Sequence, residues 1–283
     1  MKIIRTGTKE VLKRNYYDEV EYLTFPSLSS IGMIEHLFTT RLGGLSKGIY
    51  ATMNMSYTRG DEKEAVDENY RRIAKILHCE LHDFVLSHQS HTTNIRNVTR
   101  VDAGKGIVRE RDYADVDGLI TNVPGIVLAT FYADCVPLYF VDPVHRAIGL
   151  SHSGWKGTVA KMAEVTVNRM QEAYGSNPAD IIAGIGPSIC QSCYEVSADV
   201  IEQFKETFPE RRIQMKIFYE KENGKYQLNL WEANRMILIG AGIPERNISL
   251  TDVCTCCNPE YLFSHRASHG KRGNLAAFLR IKP

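Results

Sequence analysis

No stretch of this chain approaches the ~20 uninterrupted apolar residues that a membrane-spanning helix needs. The opening residues Met1–Glu10 carry no apolar core of a signal peptide, so the cytoplasm is the expected compartment. An excess of charge of one sign is missing too: 34 Lys and Arg stand against 33 Asp and Glu, a formal net charge of +1. That balance argues against a broad cationic footprint for nucleic acid and leaves room for a local pocket for a small anion. The seven cysteines are odd in number and are not spread like a disulfide framework, which points to reduced thiols or metal ligands. Repeats, low-complexity segments and linkers are absent as well, so residues 1–283 read as one domain of strands with interspersed helices.

What is present is concentrated in Thr130–Thr158, TFYADCVPLYFVDPVHRAIGLSHSGWKGT. Two strand-like apolar runs feed it, and each ends in a reactive side chain. Residues 126–132 deliver Asp134 and Cys135; residues 147–150 deliver His152, with Gly154-Trp155-Lys156-Gly157-Thr158 close behind. Strands that stop in a turn are where an α/β fold presents its chemistry. Cys135 and His152 are therefore expected at the centre of an active site.

Period-two alternation predicts strands over residues 20–25 and 34–39. Arg41 follows beside Gly43-Gly44, either as a solvated loop cation or as an anion contact. Residues 62–77 have helical spacing, with Asp61 able to cap them. A short strand over 84–86 runs into His88 and His91; if the run stays extended, the two point to opposite faces and one of them faces the site. The polar segment 101–116 reads as an exposed, mobile loop, either a solvated flap or a lid, and Asp117 stands just before the next strand. Helices are expected over 158–174, capped by Thr158, and over 197–208 and 230–239. Strands are expected over 181–185, 248–251 and 275–281, with a hairpin from 215–219 and 226–228 around Asn223-Gly224. The fold class is mixed α/β.

His91, Cys135 and His152 supply two imidazoles and one thiolate, suitable donors for zinc. Three protein ligands leave a fourth position for water or substrate, as in catalytic sites. The alternative makes Cys135 a small buried hydrophobe and His152 a hydrogen-bonded turn residue. Cys190-x-x-Cys193 and Cys254-x-Cys256-Cys257 contain two CxxC pairs, 190/193 and 254/257. Either they form a four-thiolate site, at a separation far longer than in compact zinc ribbons, or they are buried thiols. For an anion, the candidate cations are Arg41, Lys156, Arg266 and Arg272, with the backbone amides near Gly154–Gly157.

These motifs occur in a familiar order: Thr40-Arg41 with Gly43-Gly44, Gln89-Ser90-His91-Thr92, Ala133-Asp134-Cys135-Val136-Pro137, His152-Ser153-Gly154-Trp155-Lys156-Gly157, Gly186-Pro187 with Tyr194-Glu195-Val196, Cys254-Thr255 and the Arg266–Asn274 tail. From about Phe38 to the C-terminus the chain resembles the YlmD/YfiH-like family, also called the laccase-domain or multicopper polyphenol oxidase family; residues 1–37 are less well matched. The resemblance implies mixed β-sheets flanked by helices, in a fold similar to that of deamidating toxins. It implies zinc on His91, Cys135 and His152, and it selects His91 over His88. It further implies phosphorolysis of adenosine, inosine and methylthioadenosine to base and ribose 1-phosphate, with adenosine deamination. Its partners would be a purine nucleoside and phosphate, with neither nucleic acid nor membrane; the sequence does not give the oligomeric state, a monomer being plausible.

Two departures stand out. The family often has His-Val-Gly-Asp where this chain has Thr58-Arg59-Gly60-Asp61, which puts a substrate contact there in question. It often has Arg where this chain has Lys156, which keeps the charge and loses the bidentate fork for phosphate. On this reading Cys135, His152, His91 and Asp134 do the chemistry, while Arg41, Lys156, Glu195 and Arg266 bind substrate or phosphate; Asp117, Asp134 and Glu195 are the candidate proton shuttles, unranked. A complete blue-copper oxidase centre needs roughly ten histidines in His-x-His pairs plus a cysteine. This chain has nine histidines and no such pair, so copper is expected at most in the His/Cys/His site. Two alternatives remain: a Cys-His amidohydrolase with Cys135 as nucleophile, and a non-catalytic binding module, whose site would tolerate Cys135→Ala without loss of function.

Overall fold

The computed structural model describes residues 2–7 and 9–283. The strands, in chain order, are β1 (Lys13–Tyr17), β2 (Val20–Thr24), β3 (Ile34–Thr39), β4 (Phe84–Leu86), β5 (Ile95–Asn97), β6 (Gly118–Thr121), β7 (Val127–Tyr132), β8 (Val136–Asp142), β9 (Ala147–Ser153), β10 (Ile182–Ile185), β11 (Glu195–Val196), β12 (Phe218–Glu220), β13 (Tyr226–Leu228), β14 (Ile248–Leu250) and β15 (Leu275–Ile281). Two six-stranded sheets run β1-β2-β3-β15-β7-β4 and β14-β10-β8-β9-β6-β5, and a small third sheet runs β11-β13-β12. Both large sheets are mixed. Antiparallel pairs fill their centres, while β4 joins β7, β5 joins β6 and β14 joins β10 in parallel.

Alternation along the strands decides the layers. On β7, Leu128 and Tyr132 point between the sheets, where they meet Tyr139 and Val141 of β8 and Ile148 and Leu150 of β9. Val127 and Ala129 point the other way, onto Val66, Tyr70 and Ile73 of the helix Lys63–Ile76. The outer face of the second sheet, including Val136, Leu138 and Phe140, packs on the helices Met162–Tyr174, Ala198–Thr207 and Leu230–Gly240. The central strands are thus buried on both faces, which is why they read as near-continuous apolar runs.

Several local expectations are corrected. Strand β8 was not foreseen, because Pro137 follows the Asp134-Cys135 break; the proline sits at the second strand position, opposite His152, and its carbonyl accepts from Gly186 N at 2.8 Å. The predicted helix over 158–174 is two helices, Trp155–Val159 and Met162–Tyr174, separated at Lys161, whose φ of 55° lies in the left-handed region. Thr158 is therefore inside the first helix and caps nothing at 158. Asp61 is not the cap of the helix after it: Glu62 holds that position, and Asp61 accepts from Glu62 N and Asn54 Nδ2. Residues 215–217 belong to the helix Arg211–Ile217, so the hairpin strand begins at Phe218. No helix among the described residues is long and apolar enough to cross a membrane.

Buried His36 on β3 accepts a hydrogen bond from Phe25 N at 2.8 Å, stacks on the Phe25 ring and meets Tyr139 edge-on. Burial holds its imidazole neutral, pushing its pKa down to about 3. Between that value and the ordinary ~6.5 the unfolded chain binds the extra proton, so stability rises with pH through this window and falls on acidification. Replacing His36 by Gln keeps an acceptor and removes the titration. The expected result is a flatter pH dependence of unfolding free energy between pH 6 and pH 4 than in the parent, by up to ~1.4 kcal/mol per pH unit. Identical slopes in chemical denaturation would show that His36 does not contribute.

Candidate active site

Three chain segments converge at one end of the two-sheet stack: the turn after β4, the turn between β7 and β8, and the end of β9. The first brings His91, at a φ of 68°, so the run from His88 does not stay extended and strand parity does not apply. The second brings Cys135, and the third brings His152, on the same strand face as Leu150. Their ligand atoms all lie within 4.8 Å of one another. Cys135 Sγ is 4.0 Å from His91 Nε2, and the two imidazole ring centres are 5.0 Å apart. Gly154 permits this closeness, since a Cβ there would stand 3.0 Å from Cys135 Sγ and 3.1 Å from His91 Cδ2.

Behind the cluster, Asp117 is fully buried. Its carboxylate accepts from the backbone N–H groups of Ser90, His91 and Thr92 and lies 2.8 Å from His152 Nδ1. One carboxylate thus fixes both the His91 turn and the orientation of His152. With Nδ1–H donated to Asp117, the Nε2 lone pair of His152 is left for a ligand or proton. Burial raises the pKa of Asp117, but His152 and the backbone donors overcome it and hold it at about 2. Burial alone would push the Cys135 thiol up; the charge of His152 and hydrogen bonds from both histidines outweigh it and bring it down to about 6. The same coupling raises His152, against its burial, to about 9. A thiol driven toward thiolate beside two oriented imidazoles is a donor set that fits a borderline-soft metal ion with one position open.

The cluster opens into a cavity of about 1020 Å³. Its walls include Arg59, Arg109, Arg111 and Arg272 together with the aromatic rings of Tyr113 and Phe131. Segment 101–116 forms one wall and is pinned, not a free flap. Buried Lys105 reaches Asp102 and Asp112 at 2.8 Å each, Tyr113 Oη donates to Leu86 O at 2.6 Å, and Arg111 donates to Ser87 O at 2.7 Å. A second, smaller cavity of about 250 Å³ also touches the cluster and is bounded by His91, Asp134, Cys135, Lys156 and Tyr194.

The remaining predicted residues divide. Lys156 and Asp134 line the smaller cavity. The oxygens of Asp134 accept from Thr255 Oγ1 at 2.6 Å and Arg266 N at 2.7 Å, so this carboxylate also braces the turn that carries Cys135. Arg41, Glu195 and Arg266 line neither of these two cavities. The Arg41 guanidinium donates to Ala51 O and Pro259 O and lies 4.7 Å over Phe263. Glu195 is paired with Lys221 and Lys225, and Arg266 donates to Cys193 O and Glu195 O. The helix that begins at Trp155 has five residues, and Thr158 N donates back to Gly154 O at 2.8 Å. Arg272, weighed from sequence only as one cation among several, faces the large cavity instead: it is buried, and its Nε has no hydrogen-bond partner. Asp117 gave a weak signal, an acidic residue before an apolar strand.

Residues 35–282 match the family model described as multi-copper polyphenol oxidoreductase laccase. The purine nucleoside phosphorylase YlmD of Geobacillus stearothermophilus is 39% identical over 246 residues, 85% of this chain and 88% of that protein. The adenosine deaminase RL5 of an unknown prokaryotic organism is 32% identical over 249 residues, 88% of this chain and 93% of its own length. The crystal structure of YlmD from Geobacillus stearothermophilus superposes with a TM-score of 0.88 at 34% identity, covering 97% of this chain and all of that one. A match over nearly the whole chain, in sequence and in fold, establishes that this protein belongs to the laccase-domain family of YlmD- and YfiH-type proteins, whose relatives named above are enzymes of purine nucleosides.

Proposed function

We propose that this protein is a zinc-dependent cytoplasmic purine nucleoside phosphorylase that splits adenosine, inosine and methylthioadenosine with phosphate, and that it also deaminates adenosine. The observation that carries the reading is the placement of His91, Cys135 and His152 at the floor of a cavity walled by arginines. The names of the relatives supply the substrate class. In phosphorolysis a phosphate oxygen bonds to C1′ as the bond from C1′ to the purine nitrogen breaks; the electron pair leaves with the base, which takes up one proton. When held by His91, Cys135 and His152, zinc supplies a Lewis acid with one coordination position open.

The chain's own groups do the rest. Arg272 and Arg59 hold the phosphate dianion by charge, with the Arg272 guanidinium able to bind two oxygens at once. Tyr113 and Phe131 present apolar ring surface to a purine. Asp117 holds His152 in one tautomer. Of the three candidate proton shuttles, Asp134 alone lines one of the two cavities, the smaller one, whereas Asp117 is committed to His152 and the His91 turn and Glu195 to Lys221 and Lys225. The purine-facing rings and the His91/Cys135/His152 cluster, without the phosphate-holding arginines, also serve deamination, in which water replaces the purine amino group and ammonia leaves.

The test is an assay of metal-quantified protein on adenosine and inosine with and without phosphate. Ribose 1-phosphate formation that requires phosphate is expected; base release indifferent to phosphate would overturn the reading. Asp117→Asn should weaken metal binding by about 10–100-fold, read by competition with a chelator, because the outer carboxylate sets ligand basicity and orientation. An unchanged affinity would reduce Asp117 to a turn-forming residue. One observation favours a second reading: Cys135, His152 and Asp117 line up as thiol, imidazole and carboxylate, the order a thiol hydrolase uses. Full activity in metal-free protein would select it.

A further inference from the structure

The CxxC pairs are 64 residues apart in sequence but not in the fold. Strands β10 and β14 are parallel neighbours, so their C-terminal ends lie side by side. The pairing continues past them, through the bridge between Ser188 and Cys254 and the hydrogen bond from Thr255 N to Ser188 O at 3.1 Å. Each strand then delivers one CxxC pair, and Cys190, Cys193, Cys254 and Cys257 bring their four sulfurs within 4.8 Å of one another. Four sulfurs bound to one zinc ion at ~2.3 Å in a tetrahedron stand ~3.8 Å apart. The Cys190–Cys257 and Cys193–Cys257 distances are 3.8 and 3.4 Å. A disulfide requires ~2.05 Å, so these are sulfurs gathered about a common centre and not a bonded pair. Backbone N–H groups of Cys190 and Cys257 point at Cys254 Sγ at 3.2 and 3.4 Å, the outer hydrogen bonds that stabilise a metal-bound thiolate. Cys256, between the last two, lies outside the set.

We propose that these four cysteines form a second, closed zinc site that clamps the loop after β10 to the loop after β14. Four thiolates leave no coordination position for substrate, so its role is structural. Zinc also suits the two imidazoles and thiolate of the first site, so the same element can fill both sites, one ion in each. The clamp matters to the active site because its two loops support the turn that presents Cys135. Ile189 N donates to Asp134 O at 3.0 Å, and Thr255 Oγ1 donates to the Asp134 carboxylate. Ile189 and Tyr194, flanking the first CxxC pair, line the smaller cavity.

The experiment is a metal count on protein purified under reducing conditions, by elemental analysis and native mass spectrometry. Two zinc ions per chain are expected. Cys193→Ser combined with Cys257→Ser should bind one, and Cys135→Ala should lose the other. Because the double variant can fail to fold, the parent protein is also reconstituted with Co²⁺. A cobalt–thiolate spectrum of four-sulfur type that persists in Cys135→Ala is expected. One zinc per chain that is lost with Cys135→Ala, iron in place of zinc, or a cobalt spectrum that vanishes entirely in Cys135→Ala would each overturn the proposal.

Discussion

Cys135→Ser is expected to lose the zinc held with His91 and His152 and to lower phosphate-dependent base release by more than about 10²-fold, since loss of outer partners alone costs 10–100-fold in metal affinity. The reason is electrostatic. At neutral pH the Cys135 thiol is drawn down to about 6 by His152 and His91, so it is a ready anionic ligand. A serine hydroxyl keeps its proton there and brings a neutral oxygen where a soft anionic sulfur stood. The fold should tolerate the change. Cys135 sits half-buried in a turn, and the replacement is nearly isosteric, so the thermal midpoint should move little once the metal contribution is removed from both proteins. Metal content and turnover have to fall together. A variant that keeps its zinc but loses all turnover would mean that Cys135 acts as a nucleophile. A variant with full turnover would remove Cys135 from the chemistry altogether.

How much of this was legible in the chain depends on the distance over which each feature is encoded. The closing strand Leu275–Ile281 agrees with its expectation residue for residue, because its apolar run is bounded by Gly273 and Pro283 and is buried on both faces. Strand β8 was hidden by Pro137, a residue that argues against a central strand unless it stands near the start of one. The break at Lys161 was invisible, since nothing but tertiary packing imposes a left-handed lysine between two apolar helix faces. Within the site, the residue types that can hold a metal were readable, because few other patterns place Cys and His at strand ends. The cations were not. Arg41 and Arg266 stand in motifs, yet each guanidinium donates to two main-chain carbonyls and lines neither cavity. Sequence also could not show that β10 and β14 are neighbours, which is what brings the two CxxC pairs together.

Arg272→Met is expected to raise the KM for phosphate and to lower kcat/KM for phosphorolysis by about 10²–10³-fold, the usual cost of removing a donor from developing or bound anionic charge. Arg272 is 8% exposed, and its Nε hydrogen has no acceptor. The groups it does reach are Gly273 O, the Asn274 side chain and His265 Nδ1, all neutral acceptors. Burial, and then the facing charge of Arg59, push its pKa down to about 10. Two cations that repel each other across a cavity, one with an unmet donor, are under-compensated until an anion lies between them. Removing the charge should therefore leave the free protein as stable as the parent or more so, with the thermal midpoint unchanged or raised and the stabilisation by added phosphate lost. Adenosine deamination, which uses no phosphate, should stay within about threefold, as expected for a group that acts only on the anion. Arg272→Lys should fall between the two, since an ammonium keeps the charge but not the two-oxygen fork. Arg41→Met, by contrast, should lower the melting temperature while leaving the KM for phosphate unchanged, because Arg41 ties Ala51 and Pro259 together and faces neither cavity. If Arg272→Met lowers the melting temperature and leaves the KM for phosphate where it was, Arg272 is a scaffold residue and the anion binds elsewhere along the cavity wall.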